Sequence, residues 1–102
     1  MMETFSFKHE SSGNCDYFRF SGNIDINAET VLHDIPDSVA HPCVVMDFGQ
    51  AGRINSLGIA LLLKCMKKIR EVKKADITIC GLSPVNAMLF KITGVFLLAS
   101  QE

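Results

Sequence analysis

Residues 43 to 74 read CVVMDFGQAGRINSLGIALLLKCMKKIREVKK, and this stretch decides the fold. Its first six residues are almost continuously apolar, which is typical of a strand covered on both faces in a parallel sheet. A bend bracketed by Gly49 and Gly52 follows. From Leu57 onward, apolar side chains are so frequent that the first half of the next helix is predicted to be buried nearly all round. The stretch therefore predicts strand, loop and helix, with Ser56 at the start of the helix.

Ser56 occupies the position most suited to function. In an open α/β sheet, the start of a helix lies beyond the carboxyl ends of the strands, where backbone N–H groups and the helix dipole favour an anion. We expect the Ser56 hydroxyl to be exposed there. An ordinary helix N-cap is the alternative role for a serine at this position.

Length and composition predict one globular domain over residues 1–102, since 48% of the residues are hydrophobic and 21% are charged. No apolar stretch approaches the roughly 20 residues of a membrane span. The first four residues also lack the basic and apolar regions of a signal peptide, so we expect a cytoplasmic protein. The net charge of -1 argues against a nucleic-acid surface.

The cysteines stand singly inside apolar segments, without the paired spacing of a metal site or a disulfide framework. They are therefore predicted to be reduced core residues. The four are Cys15, Cys43, Cys65 and Cys80.

The segments outside the central stretch complete an α/β pattern. Alternating residues 4–10 and 15–21 predict a hairpin, and Asn27 is predicted to cap a helix that Pro36 ends. Residues 76–81 predict a strand, and residues 95–99 a final one. Between them, Ser83 and Pro84 begin a helix that Gly94 closes. Its predicted core face consists of Val85, Met88, Leu89 and Ile92.

The resulting order is β-β-α-β-α-β-α-β. Such an order requires parallel crossovers, so the predicted fold is a mixed, largely parallel β-sheet packed with helices.

Catalytic motifs are missing from the sequence. In the nucleophile elbow G-x-S-x-G of hydrolases, the first glycine would stand where Ile54 stands. All three histidines precede Ser56, so the hydrolase order serine, acid, histidine cannot be met. No phosphate-binding glycine fingerprint occurs, and the histidines are too scattered for a metal site. The sequence thus predicts no enzyme, cofactor or metal.

Five blocks of the sequence, in the right order, resemble one known family. They are VVMDF at 44–48, INSLGIALL at 54–62, ITICGLSP at 77–84, ITG at 92–94 and, upstream, SGNID at 21–25. Together they resemble the STAS family, the bacterial anti-sigma factor antagonists. The resemblance covers essentially the whole chain.

The resemblance implies a non-enzymatic partner switch that regulates transcription. Such an antagonist sequesters an anti-sigma factor, usually a serine protein kinase of the histidine-kinase-like ATPase type, and so frees the sigma factor. Phosphorylation by that kinase turns the antagonist off, and a serine phosphatase restores it. The family's phosphorylated serine directly follows an aspartate and lies two residues before a glycine, so it corresponds to Ser56.

Other site residues follow from the same resemblance. Asn55 replaces the family's aspartate before the phosphorylated serine. Asp25 retains the family's other acidic position. Asp25 could equally be a turn residue that accepts hydrogen bonds from nearby N–H groups. Arg53 and Leu57 flank the switch serine as candidate partner contacts. Gly58 lowers helix propensity, so either a partner's backbone or tight packing on the neighbouring strand must require it.

A different class of function remains open from the sequence. The chain could be a constitutive, non-phosphorylated STAS scaffold, or the cytoplasmic STAS subunit of a lipid-transport machine. In that case Ser56 would merely cap the helix.

Overall fold

One five-stranded sheet carries three helices in the computed structural model, which describes residues 4–102. The chain start, on which the expectation of no signal peptide rests, lies partly outside these residues. Within them, no helix is long and apolar enough to cross a lipid bilayer. The strands are β1 (Ser6–Ser12), β2 (Cys15–Ile24), β3 (Cys43–Ile54), β4 (Asp76–Cys80) and β5 (Ser100–Gln101). The helices are α1 (Glu29–Ser38), α2 (Ser56–Val72) and α3 (Pro84–Thr93), with 3-10 turns at Ile26–Ala28 and Val95–Leu97.

The strands lie side by side in chain order, β1-β2-β3-β4-β5. β1 pairs antiparallel with β2, while the pairs β2–β3, β3–β4 and β4–β5 are parallel. This arrangement confirms the predicted mixed sheet with helical crossovers. Because the strands are mostly parallel, their carboxyl ends meet at one edge of the sheet, and α2 begins at that edge.

Burial alternates along the strands, so the prediction that β3 is covered on both faces is wrong. Val44, Met46 and Phe48 are buried, whereas Cys43, Val45 and Asp47 between them are partly exposed. β2 alternates in the same way. The helices cover one face of the sheet, and the other face remains open. An apolar run indicates a strand, but it does not show whether one face or both faces of that strand are covered.

Aromatic side chains link the sheet to the last helix on the covered face. Phe20 of β2 lies 5.2 Å from Phe48 of β3, measured between ring centroids, and Phe48 meets Phe90 of α3 edge-on at the same separation. Phe18, Phe20 and Phe90 have no exposed surface. Offset and edge-on contacts of this kind add to the free energy of apolar burial.

β3 is longer than predicted. The segment expected to bend between Gly49 and Gly52 continues as strand to Ile54, with an irregular register against β2 in which Gln50 pairs with Ser21 and Ile54 with Ile24. The added strand carries the chain directly to the start of α2. The glycines lower strand propensity, but backbone pairing with β2 compensates for it.

Both ends of α1 differ from the prediction. Asn27 does not cap the helix: it lies in the preceding 3-10 turn, and Asp25 accepts a hydrogen bond from its backbone N–H at 2.9 Å. Pro36 lies inside the helix, which continues to Ser38. Since Pro36 is buried, packing offsets the hydrogen bond that its missing N–H costs.

α3 begins and ends as predicted, but its orientation differs. Ser83 accepts from the N–H of Asn86, and Gly94 ends the helix with φ 86. The predicted core face points largely outward, since Val85, Met88 and Ile92 are exposed. The core side is instead formed by Asn86 and Phe90.

Two further predictions about the end of the chain and about α2 are wrong. The final strand is not residues 95–99, because the 3-10 turn Val95–Leu97 precedes a strand at Ser100–Gln101. The first half of α2 is not buried all round, because Leu57 and Ala60 are exposed. A helix that lies on one face of a sheet has a solvent side even when its sequence is mostly apolar.

Two of the four cysteines are not reduced core residues. Cys15 and Cys43 form a disulfide between β2 and β3, with 4.4 Å between their Cα atoms. Cys65 is free and buried, and Cys80 is free and partly buried. The spacing along the chain gave no indication of the bond, because a separation of 28 residues is closed by strand pairing.

Candidate functional site

Asn55, rather than Ser56, caps α2. The Asn55 side-chain oxygen accepts a hydrogen bond of 2.8 Å from the N–H of Gly58, and its backbone is extended as in an N-cap. Ser56 is therefore the first residue of the helix. The interpretation of Ser56 as an ordinary N-cap is wrong, because the neighbouring amide already supplies the capping oxygen.

Backbone contacts with β2 fix the start of α2. Ile24 and Ile54 are register partners, and the N–H of Asn55 donates to the carbonyl of Ile24 at 3.2 Å. Gly58 is buried against the same carbonyl, and a Cβ atom at Gly58 would collide with it. Of the two proposed reasons for Gly58, the structure shows the tight packing on the neighbouring strand. Contact between Gly58 and a partner stays a prediction.

The Ser56 hydroxyl lies in solvent, as expected. Within residues 4–102, neither this hydroxyl nor the N–H groups of Ser56 and Leu57 have a protein hydrogen-bond partner. Free N–H groups at a helix start attract anions, because the helix dipole adds partial positive charge there. The start of α2 therefore favours a negatively charged group close to Ser56.

Asp25 and Arg53 lie at the ends of the two strands that meet near Ser56. Asp25 follows β2 directly and accepts from the N–H of Asn27, which agrees with its interpretation as a turn residue. Arg53 is exposed, while its backbone N–H donates to the Asn23 side chain at 2.9 Å. The structure thus brings all the predicted site residues to one edge of the sheet. Whether they contact a partner stays a prediction.

Two exposed apolar side chains lie at this edge. Ile26 is 49% exposed and Leu57 is 44% exposed. An exposed surface that combines apolar groups with free backbone donors resembles the rim and core of a protein interface. Ile26 directly follows Asp25 in the chain, but no sequence pattern marked it as a site residue.

A second polar cluster, also missed from the sequence, lies at the amino ends of β2 and β3. Asp16 of β2 has no exposed surface, and its carboxylate accepts five hydrogen bonds. Oδ1 accepts from His9 Nε2 and Ser11 Oγ of β1, both at 2.8 Å. Oδ2 accepts from the N–H of Ala40 at 2.8 Å, and from the N–H and Nδ1 of His41 at 2.9 and 3.1 Å. Asp16 therefore joins β1, β2 and the loop before β3.

These contacts control the ionisation of Asp16. Burial by itself raises the pKa of a carboxyl group, but the hydrogen bonds from His9, Ala40, Ser11 and His41 outweigh burial and hold the pKa of Asp16 well below its ordinary value. The carboxylate is thus stably ionised inside the protein.

The sequence contained one signal for this cluster. Asp16 alternates with Phe18 and Phe20, so an acidic residue occupies a position on the buried face of a strand. Such a residue requires several donors. Which donors it finds could not be read from the sequence, because His41 lies 25 residues away along the chain. Among the described residues, no group of three or more His, Cys, Asp or Glu side chains could hold a metal ion.

The fold agrees with one family. Residues 7–99 match the family model described as the STAS domain. The chain belongs to the STAS family. This confirms the resemblance seen in the sequence blocks. No curated protein matches the chain.

Solved STAS-like structures share the fold at low sequence identity. An anti-sigma factor antagonist from Mycobacterium paratuberculosis is 17% identical, with a TM-score of 0.78 and coverage of 95% of this chain and 84% of that chain. The unphosphorylated form of the anti-sigma factor antagonist SpoIIAA is 19% identical, with a TM-score of 0.71 and coverage of 95% and 87%. A sulfate transporter family protein from Wolinella succinogenes is 11% identical, with a TM-score of 0.74 and coverage of 86% and 73%. At these identities the similarity concerns the fold.

Proposed function

We propose that this STAS domain is an anti-sigma factor antagonist that is switched by phosphorylation of Ser56. In its unmodified form it binds a serine protein kinase of the histidine-kinase-like ATPase type, which is itself the anti-sigma factor. The kinase phosphorylates Ser56 and releases the antagonist, and a serine phosphatase reverses the modification. The domain itself performs no catalysis in this scheme.

One observation carries the proposal: an exposed serine at the first position of α2, with unpartnered backbone N–H groups beside it. A kinase can reach this hydroxyl without unfolding the chain. The resulting phosphate, with a charge of about -1.5 to -2, would be stabilised by the helix start. Phosphorylation should therefore leave the fold of the domain almost unchanged.

Loss of binding must then arise at the interface. The edge around Ser56 combines exposed apolar groups, Ile26 and Leu57, with the hydroxyl. A divalent anion placed among them has to be desolvated when a partner covers the surface, and it meets the nucleotide phosphates or acidic groups of the kinase. Asp25, Arg53 and Asn55 at the same edge are the polar contacts that we expect the partner to use.

The experiment starts with the protein isolated from its own cells. Mass spectrometry should find phosphate on Ser56 and a copurifying kinase. Calorimetric titration of that kinase should show tight binding of Ser56→Ala and binding at least about tenfold weaker for Ser56→Asp, a difference of roughly 1.4 kcal/mol. Ser12→Asp is the matched control, because Ser12 is also exposed but lies in β1 at the other end of the sheet. Equal affinity of all three variants would refute the switch.

Asn55 provides a finer test, because an amide avoids the repulsion that a carboxylate would exert on a neighbouring phosphate. Asn55→Asp retains a capping oxygen, so binding of the unmodified protein should change little. The phosphorylated form of this variant should bind more weakly by a further amount of about 0.5 to 1 kcal/mol, because the new carboxylate and the phosphate are like charges that solvent partly screens. An unchanged ratio of the four affinities would contradict this local electrostatic effect.

The alternative function gives a distinct result in the same experiments. A non-phosphorylated scaffold, or a STAS subunit of a lipid-transport machine, would carry no phosphate on Ser56 in any growth condition. It would copurify with membrane-transport components or a constitutive assembly instead of a kinase.

A further inference from the structure

The disulfide joins the starts of two neighbouring strands. Cys15 is the first residue of β2, Cys43 is the first residue of β3, and the two are register partners in the parallel ladder. Both side chains are partly exposed. Since side chains alternate along a strand, Cys15 and its neighbour Asp16 lie on opposite faces of the sheet. The disulfide is on the open face, and Asp16 is on the face covered by helices.

The same two segments are also held together from the covered face. Oδ2 of Asp16 accepts hydrogen bonds from the N–H groups of Ala40 and His41, which come just before Cys43. The His41 ring adds a third hydrogen bond to the same oxygen. We call this set of contacts between Asp16 and the loop the Asp16 clamp. It positions the start of β3 beside the start of β2 without any contribution from the sulfur atoms.

We propose that Cys15 and Cys43 form a reversible redox site, in which the Asp16 clamp keeps the two thiols within bonding distance when the disulfide is reduced. A pair fixed in this way has a high effective concentration of one thiol for the other, although the two are 28 residues apart in the chain. The fold then persists in both redox states. This proposal concerns the amino end of the sheet and does not depend on the role proposed for Ser56.

The reactant is a small-molecule disulfide of the glutathione type. One cysteine thiolate attacks a sulfur of that disulfide, which forms a mixed disulfide and releases one small thiol. The other cysteine thiolate then attacks the protein sulfur of the mixed disulfide, forms the Cys15–Cys43 bond and releases the second small thiol. The protein loses two electrons and two protons, and the small disulfide gains them. Excess small thiol reverses both steps.

The other two thiols are poor competitors for this exchange. Burial raises the pKa of Cys65 to about 12, and burial together with Asp47 and Glu102 raises the pKa of Cys80. The reactive thiolate is therefore disfavoured at both positions. Cys80 also pairs with Asp47, four residues along β3 from Cys43, which corresponds to about 13 Å.

The first test is equilibration of the full chain in glutathione buffers of graded composition. After acid quenching, alkylation in denaturant and intact-mass measurement, the oxidised chain should carry two alkyl groups and the reduced chain four, because the sequence has four cysteines. The amide NMR spectrum should remain dispersed in both states. The proposal is overturned if the reduced chain unfolds, or if both cysteines stop at mixed disulfides with glutathione.

The second test addresses the clamp. Asp16→Asn should lower the ratio of oxidised to reduced chain at a fixed glutathione composition by about tenfold, because its uncharged amide oxygen accepts the three loop hydrogen bonds more weakly than the carboxylate does. Asp37→Asn is the matched control, since Asp37 is an exposed residue of α1, and it should leave the ratio unchanged. An equal ratio for both variants would overturn the role of the clamp.

If Asp16→Asn does not fold, a milder variant tests the role of the Asp16 clamp. His41→Ala removes only the ring hydrogen bond of 3.1 Å and leaves both backbone donors in place. We expect the oxidised-to-reduced ratio to fall about two- to fivefold, in line with the loss of one hydrogen bond. A ratio equal to that of the unaltered protein would again overturn the proposal.

Discussion

The polar groups at the two ends of the parallel strands differ in burial and in how far along the chain their hydrogen-bond partners lie. At the carboxyl ends, Asn55 and Asp25 each accept a hydrogen bond from within their own turn, and Ser56 remains in solvent. At the amino ends, Asp16 is fully buried and accepts hydrogen bonds from β1 and from the loop before β3. A polar group that bonds locally can shape a surface and leave it free for a partner. A polar group that joins distant segments stabilises the fold and is costly to alter.

Among changes at the two ends of the sheet, Asp16→Ala should lower the free energy of unfolding most. Removal of the carboxylate leaves five hydrogen bonds without their acceptor, so we expect a loss of about 3–5 kcal/mol in the free energy of unfolding. Urea denaturation measures the change. Asp37→Ala, at an exposed position, should stay within about 0.5 kcal/mol. Similar denaturation midpoints for the two variants would show that the buried cluster adds little.

Acid should weaken the same end of the sheet to a smaller degree, because protonated Asp16 keeps its volume and part of its hydrogen bonding. The pKa of Asp16 is lowered on folding, so its contribution to stability is complete above the unfolded pKa of about 4 and is lost as the pH falls towards the folded value. The ionisable groups that face it are His9 and His41.

Urea denaturation at a series of pH values from neutral down to about pH 3 tests this linkage. The unaltered protein should lose stability as the pH falls below about 4, and Asp16→Asn should show a flatter dependence over the same range. Parallel curves for the two proteins would mean that other carboxylates carry the acid sensitivity.

Gly58→Ala tests how closely α2 lies against β2. Helix propensity alone would favour alanine by about 1 kcal/mol. The added Cβ would collide with the carbonyl of Ile24, so we expect a net loss of about 1–3 kcal/mol instead. Ala60→Gly, at an exposed position of the same helix, should cost about 1 kcal/mol. A stabilising Gly58→Ala would show that the close contact is absent.

The smallest effects are expected at the exposed end itself. Asn55→Ala removes the cap of α2 and should cost about 1 kcal/mol, whereas Ser56→Ala should change stability by less than about 0.5 kcal/mol. Thermal denaturation of the two variants side by side measures the difference. If Ser56→Ala were the more damaging change, the hydroxyl would have a structural role that its exposure argues against.

Sequence patterns predicted most of the elements and the position of the candidate site. The run at residues 43–48, the helix start at Ser56 and the Ser83–Gly94 helix all depend on neighbouring residues, and local rules hold for them. The patterns did not assign the cap of α2, because Asn55 and Ser56 are both good capping residues and only the observed hydrogen bond to Gly58 distinguishes them. For Gly58 they offered tight packing on the neighbouring strand as one of two reasons, and the structure identifies the contact as the carbonyl of Ile24.

What the sequence determined by itself was the order of strands and helices, the family, and the serine at the start of the central helix, because these follow from periodicity, capping and motif spacing within short segments. The tertiary structure alone decided which face of the sheet the helices cover, which side of α3 meets Phe48, that Cys15 bonds to Cys43, and which donors surround Asp16. Each of these depends on a contact between residues far apart in the chain. Such contacts are fixed by strand pairing and packing, which no local pattern contains.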